Sequence, residues 1–410
     1  MKLQIFNPRF AIALGAGALA LGGLSSAASA QAVPSCSDTT MFPNPVYMAG
    51  SSAFEPTAAK LALKARAATP AYTIIYAATA SCDGPAAIRD NVTLTGNGHY
   101  YIPDASDATK PSAAQNCALD TVVTKADIGV ADVAYSACYG TAIPATLGEF
   151  LGPVQAMEFI VPEMNTTVSA ISAEQAAAIW GCGMGGGVSP FIDETGIMQR
   201  GATSGTQIMV SKYIGVPADM FKGVPNGTGG NLVTSLLAVT DPQKAIGYLA
   251  ADSYDTKRTT LNALAFRGAG QTKAYYADST AAALDKKNVR DGHYMIQGPV
   301  HFIGTVGTTG APTNANFKKV VDWIQGNVPV EAGKPYGYID LEGGSGMVPL
   351  CAMHVTRDVD GGFLKPYKPA VSCNCYFENV VTKAIPAGCV ACTDSSSCAT
   401  GTTCQSGYCE

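Results

Sequence analysis

Seven of the chain's thirteen cysteines fall within residues 373–410, which include the run CVACTDSSSCATGTTCQSGYC. Between them stand mostly Gly, Ser and Thr, so this segment has too few apolar side chains to fold on a core of its own. Cross-links must hold it. Disulfides are the expected cross-link, with Cys389-x-x-Cys392 as half of a zinc site the rival reading. None of the four histidines lies in this tail, which favours disulfides. The odd cysteine count leaves one thiol free or paired between chains.

Disulfides imply export, and the first 30 residues read as an export signal. Lys2 and Arg9 precede and flank an apolar stretch, AIALGAGALALGGL, and Ala28-Ser29-Ala30 is a small-residue cleavage site. Cleavage after Ala30 is expected, giving a periplasmic, secreted or cell-surface protein. Cys36 follows Val33-Pro34-Ser35, and Pro34 suits a lipidation site badly. No later apolar run is long enough to span a membrane, so stable insertion is not expected.

The net charge of -5 comes with only 14% charged residues and no run of Lys or Arg, which argues against nucleic-acid binding. From about residue 36 to 370 the chain alternates strand-like and helix-like segments. Strands are expected at 45–50, 72–78, 126–136, 154–164, 244–252 and 294–304. Helices are expected at 54–68, at PAAIRD with Pro85 in its first turn, and at 172–181, 206–215 and 316–327. This alternation predicts an α/β architecture with largely parallel sheets. KPYKPAVS reads as a linker to the tail.

Three serines stand at three helix starts. Ser52 with Glu55 and Ser204 with Gln207 have capping-box spacing, and Ser81 precedes the PAAI helix. Each is a good N-cap by itself. Together, at carboxyl ends of strands, they also describe an anion site, because helix starts offer free N–H groups and the positive end of a dipole. Arg200 adds the one full charge, with a fork that matches tetrahedral oxyanions.

These motifs resemble the substrate-binding protein of the phosphate ABC transporter, the PstS-type family. Ala49-Gly-Ser-Ser-Ala-Phe-Glu-Pro56 matches its Gly/Ser turn and Tyr76-Ala-Ala-Thr-Ala-Ser81 its second serine turn. Asp127-Ile-Gly-Val-Ala-Asp132 matches its acidic strand, Ala245-Ile-Gly-Tyr248 a later strand, and Arg200-Gly-Ala-Thr-Ser-Gly-Thr206 its signature, in family order. The resemblance implies a two-lobed, type II periplasmic-binding fold: lobe I from residues 31–155 and 296–370, lobe II from 156–295, and the Cys-rich tail from 371–410. It implies a ligand held by Ser52, Ala53 and Ser81 from one lobe and Arg200, Ser204, Gly205 and Thr206 from the other, with Asp132 at the boundary. Asp132 would accept the proton of hydrogen phosphate, which sulfate lacks at neutral pH. The implied partners are phosphate or a similar oxyanion and an ABC permease, with no cofactor and no metal.

The departures are specific. Ala202 replaces an acid that would orient Arg200, and Thr203 replaces a glycine. Glu55 and Asp83 bring negative charge near two helix starts, and Cys82 offers a disulfide beside Ser81. No G-x-S-x-G, P-loop or H-E-x-x-H is present, and His99, His293, His301 and His354 are scattered, so no enzyme is read. The alternative is a secreted or cell-surface interaction protein on this fold, docking through its tail.

Overall fold

The computed structural model describes residues 33–119 and 123–410. The expected signal at 1–30 and its cleavage lie outside the described residues. The main sheet has nine strands: β1 (Pro45–Ser51), β2 (Thr73–Thr79), β3 (Asn97–Tyr100), β4 (Gln115–Ala118), β5 (Ile128–Ala131), β6 (Leu147–Pro162), β7 (Gly247–Ala250), β8 (Leu261–Ala263) and β9 (Gln297–Thr305). Their order is β7-β6-β9-β5-β1-β2-β3-β4, with β8 also on β6. The helices that matter below are α1 (Glu55–Ala67), α2 (Asp83–Arg89), α3 (Ala173–Cys182), α4 (Gly205–Ile214), α5 (Gly229–Leu237), α6 (Ala315–Ile324), α7 (Gly337–Gly344) and α8 (Asn374–Thr382).

The expected largely parallel sheet is corrected to a mixed one. β1 runs parallel to β2 and β5, while β9 is antiparallel to both β5 and β6, and β7 and β8 are antiparallel to β6. The parallel strands are joined through helices, as such pairing requires. β9 comes from far along the chain, and no crossover helix dictates its sense. β6 is long enough to serve three partners in turn: Leu147 to Ala156 face β9, Met157 to Ile160 face β7, and Ile160 to Pro162 face β8.

Near-continuous apolar strands mark burial on both faces. Val46 and Met48 of β1 and Ile74, Ile75 and Tyr76 of β2 are fully or almost fully covered. Phe54, Tyr76, Phe302, Phe317 and Trp323 share one apolar core, and Phe159, Trp180, Tyr248 and Phe266 another. Glycines at two strands and one helix bring α2 down onto the sheet. A Cβ on Gly84 would lie 2.5 Å from the Ala49 carbonyl oxygen, and one on Gly129 would lie 2.6 Å from the Gly84 backbone. That approach fixes where Ser81, at the start of α2, meets the end of β5.

All thirteen cysteines are accounted for. Cys36–Cys117 and Cys82–Cys138 lie in the body, Cys351–Cys373 ties the body to the tail, and Cys375–Cys389, Cys392–Cys404 and Cys398–Cys409 staple the tail. Cys182 is free and exposed. The zinc reading therefore fails, since Cys389 and Cys392 each hold a disulfide partner. The tail is docked as well as stapled. Phe377 of α8 is fully buried against the body's core, and Glu410 accepts from the backbone N–H of Cys375 at 2.7 Å and of Asn374 at 3.2 Å. A carboxylate at a helix start satisfies donors the helix itself leaves open. Among the described residues, no helix is long and apolar enough to cross a membrane.

Candidate functional site

The residues singled out in the sequence meet at the carboxyl ends of the strands. Ser51 ends β1 and Ser52 and Ala53 follow it. Ser81 lies between β2 and α2, and Asp132 directly follows β5. Arg200 follows a two-residue strand, Met198–Gln199, and Ser204 caps α4, whose first residues are Gly205 and Thr206. Asp132 is the hub. Its Oδ1 accepts from the Ser51 hydroxyl at 2.5 Å, and its Oδ2 from the Ser81 hydroxyl at 3.0 Å and more weakly from Thr206 at 3.5 Å. Gly205 is packed into the same point: a Cβ there would lie 2.5 Å from Ser81 Oγ and 2.9 Å from Asp132 Cβ. The Cys82 N–H donates to the Thr203 carbonyl at 3.2 Å, tying the Ser81 turn to the Arg200 loop.

Arg200 is only 3% exposed. Its Nη2 donates to Ser52 Oγ at 3.1 Å and to the Gly227 carbonyl at 3.2 Å, and its Nε is buried without a partner. Among the described residues no carboxylate lies within ion-pairing distance of it, so nothing has replaced the acid that Ala202 displaced. Burial depresses the guanidinium, while Tyr248 and Asp132 pull it back up. Burial likewise pushes the Asp132 carboxyl above its ordinary range, opposed by Ser51, Ser81, Arg200 and Thr206. Two opposite charges thus sit near one another, each desolvated and neither neutralised by direct contact. An isolated buried charge is costly unless it is paired and hydrogen-bonded.

The roles of the serines differ from those expected. Ser52 does not cap α1: Phe54 holds the N-cap position and no side chain caps it. Glu55 accepts on Oε1 from Tyr101 at 2.7 Å and pairs there with His99, so the capping box at Ser52 is absent. Ser204 does cap α4, but the Gln207 side chain does not reach back. It donates to the Ala218 carbonyl and accepts from Tyr248. A reciprocal box exists instead at Ser172 and Gln175, opening α3. The Ala53 N–H is taken by Ser51 Oγ at 3.1 Å. Asp83 is exposed and accepts from Ala80 N at 3.1 Å, so its charge is spent locally. Cys82 is bridged to Cys138, stiffening the Ser81 turn as expected.

Four contributors escaped the sequence reading. Ser51, not Ser52, reaches Asp132. Tyr76 donates to the Ser51 carbonyl at 2.6 Å, Tyr248 accepts from Arg200 N at 3.0 Å, and the Gly227 carbonyl receives Arg200. Tyr248 ends the Ala245-Ile-Gly-Tyr motif and so was visible as a pattern, though not as a site residue.

No family model and no curated protein matches the sequence. Solved structures match its fold. A putative phosphate ABC transporter substrate-binding protein with bound phosphate from Clostridium perfringens is 15% identical with a TM-score of 0.50, covering 75% of this chain and 100% of that one. An ABC-type phosphate transport receptor from Vibrio cholerae is 14% identical with a TM-score of 0.45, covering 74% and 99%. A phosphate-binding protein from Stenotrophomonas maltophilia is 16% identical with a TM-score of 0.43, covering 75% and 91%. The first of these likenesses leads to one conclusion: the chain has the α/β fold of PstS-type substrate-binding proteins, extended by a disulfide-stapled C-terminal segment.

Proposed function

We propose that this chain is a non-enzymatic, extracytoplasmic solute-binding protein that captures a tetrahedral oxyanion, phosphate above all, for an ABC permease. One observation carries the reading: Arg200 is buried with no carboxylate in ion-pairing reach among the described residues, with Ser52 on its guanidinium and Ser81 and Thr206 donating to Asp132. A buried arginine without a carboxylate partner carries a desolvation cost that a bound anion would offset. An anion-binding arginine needs that place kept open. The two lobes, 31–155 with 296–370 and 156–295, would close over the ion and present the closed shape to the permease.

Asp132 would act as the selector. The proton between its carboxylate and the facing ligand oxygen comes from hydrogen phosphate, whereas sulfate brings none and meets repulsion. On binding, the Ser51 and Ser81 hydroxyls turn from Asp132 to the ligand. Equilibrium dialysis with labelled phosphate tests the reading. Retention that survives excess sulfate is expected. Displacement by sulfate would overturn the selector role, and no retention by folded protein would overturn the whole reading.

One observation favours a second reading. Ser51, Ser81 and Thr206 all donate to Asp132, so the cluster is largely satisfied from within. A self-satisfied cluster of this kind would serve as an internal clasp in a surface interaction protein, with the docked tail or an intermolecular disulfide through exposed Cys182 making the contact.

A further inference from the structure

A cavity of about 540 Å³ opens beside Arg200. Two of its wall residues are also the residues against the guanidinium. Ser52 accepts from Nη2 at 3.1 Å, and a Cβ on Gly229 would lie 3.5 Å from Nη1. Gly229 and Gly230 begin α5, with Thr228 as its cap, so the cavity also faces the open N–H end of a nine-residue helix. Volumes of about 300–1,000 Å³ are typical for sites that hold organic ligands, far beyond what a bare oxyanion fills.

The lining suits a hydroxylated organic group. Glu55 takes both the Tyr101 hydroxyl and His99 Nδ1 on Oε1, and Oε2 receives no bond from a described residue. Val233, Leu249 and exposed Lys257 also line the cavity. The bond to Glu55 raises the His99 imidazole above its ordinary range, which favours the charged form beside that carboxylate.

We infer that the site takes a phosphomonoester of a small polyol or sugar, its phosphoryl group on Arg200 and Ser52 and its organic part in the Glu55–His99–Tyr101 cavity. This rests on the oxyanion reading of Arg200. The ester oxygen points to the Ser52 and Gly229 wall, and a non-bridging oxygen faces Asp132. The ester binds as its monoanion, whose one acidic proton bridges that oxygen and the Asp132 carboxylate.

Competition calorimetry decides the matter, using inorganic phosphate and glycerol 3-phosphate with the wild-type chain and with Ala113→Trp, an exposed rim position of the cavity. The expected result is glycerol 3-phosphate binding at least tenfold tighter than phosphate, with that margin lost in Ala113→Trp and phosphate affinity unchanged. Phosphate binding without displacement by the ester overturns this inference and leaves the oxyanion reading standing. Ester binding that Ala113→Trp does not weaken overturns the placement in this cavity. If folded protein binds neither, the oxyanion reading and this inference fall together.

Discussion

Replacing Arg200 by Met separates a ligand-binding arginine from a structural one. The substitution removes two charge-assisted bonds, from Nη2 to Ser52 Oγ at 3.1 Å and to the Gly227 carbonyl at 3.2 Å. At about 1.5–3 kcal/mol each, the loss is roughly 3–6 kcal/mol. Against it stands relief of a desolvated cation whose Nε has no partner, a penalty of several kcal/mol. Met also fills much of the aliphatic volume. The two effects nearly offset, so the ligand-free protein should change by no more than about 2 kcal/mol by denaturant unfolding. Oxyanion affinity should fall by at least 2–5 kcal/mol, about 30- to 5,000-fold, as expected when one partner of a buried charge pair is truncated. A loss of more than about 3–5 kcal/mol in the ligand-free state would mean instead that Arg200 and Asp132 are a structural pair.

Four further outcomes are expected. Gly205→Ala drives a methyl to 2.5 Å from Ser81 Oγ and 2.8 Å from Ser81 Cβ, so it should abolish phosphate binding in calorimetry while destabilising the fold by about 1–3 kcal/mol. Asp132→Asn should bring sulfate affinity toward that of phosphate in competition dialysis; unchanged discrimination would reject the selector role. Burial of His301 opposes its charge, but Glu149 at 3.0 Å and Asp360 at 3.9 Å outweigh burial and raise it from the ordinary 6.5 to about 9. Its stabilisation is therefore complete below about pH 6.5 and is lost as pH rises through about 9, worth about 3 kcal/mol at 1.36 per unit; denaturant unfolding of His301→Gln should lack that decline. Glu410→Ala should raise amide exchange at Asn374 and Cys375, whose N–H groups it accepts, with little effect on the distant phosphate site.

How much of this was legible depended on the range of the interaction. The Arg200 loop was readable because the start of α4, its cap Ser204 and its small residues Gly205 and Thr206 are neighbours in sequence. Ser52 was found but given the wrong local task, since the backbone turns into α1 at Phe54, two residues later than a Ser cap needs. Ser51 is not distinguishable from Ser52 in the sequence, because only the folded arrangement, in which its hydroxyl donates to Asp132, separates the two. Tyr248 and the Gly227 carbonyl reach Arg200 across long loops that no periodicity reports. The sense of β9 and the partner of each tail cysteine are likewise set by long-range geometry, and several connectivities are compatible with the spacing.

The most direct measurement is a phosphate titration by calorimetry of ligand-stripped wild-type protein beside Arg200→Met, both shown to be folded. An oxyanion site centred on Arg200 gives a saturable one-site heat in the wild type and binding weaker by at least about 30-fold in the variant. A folded wild type that gives no heat, or a variant that binds as tightly, would contradict it.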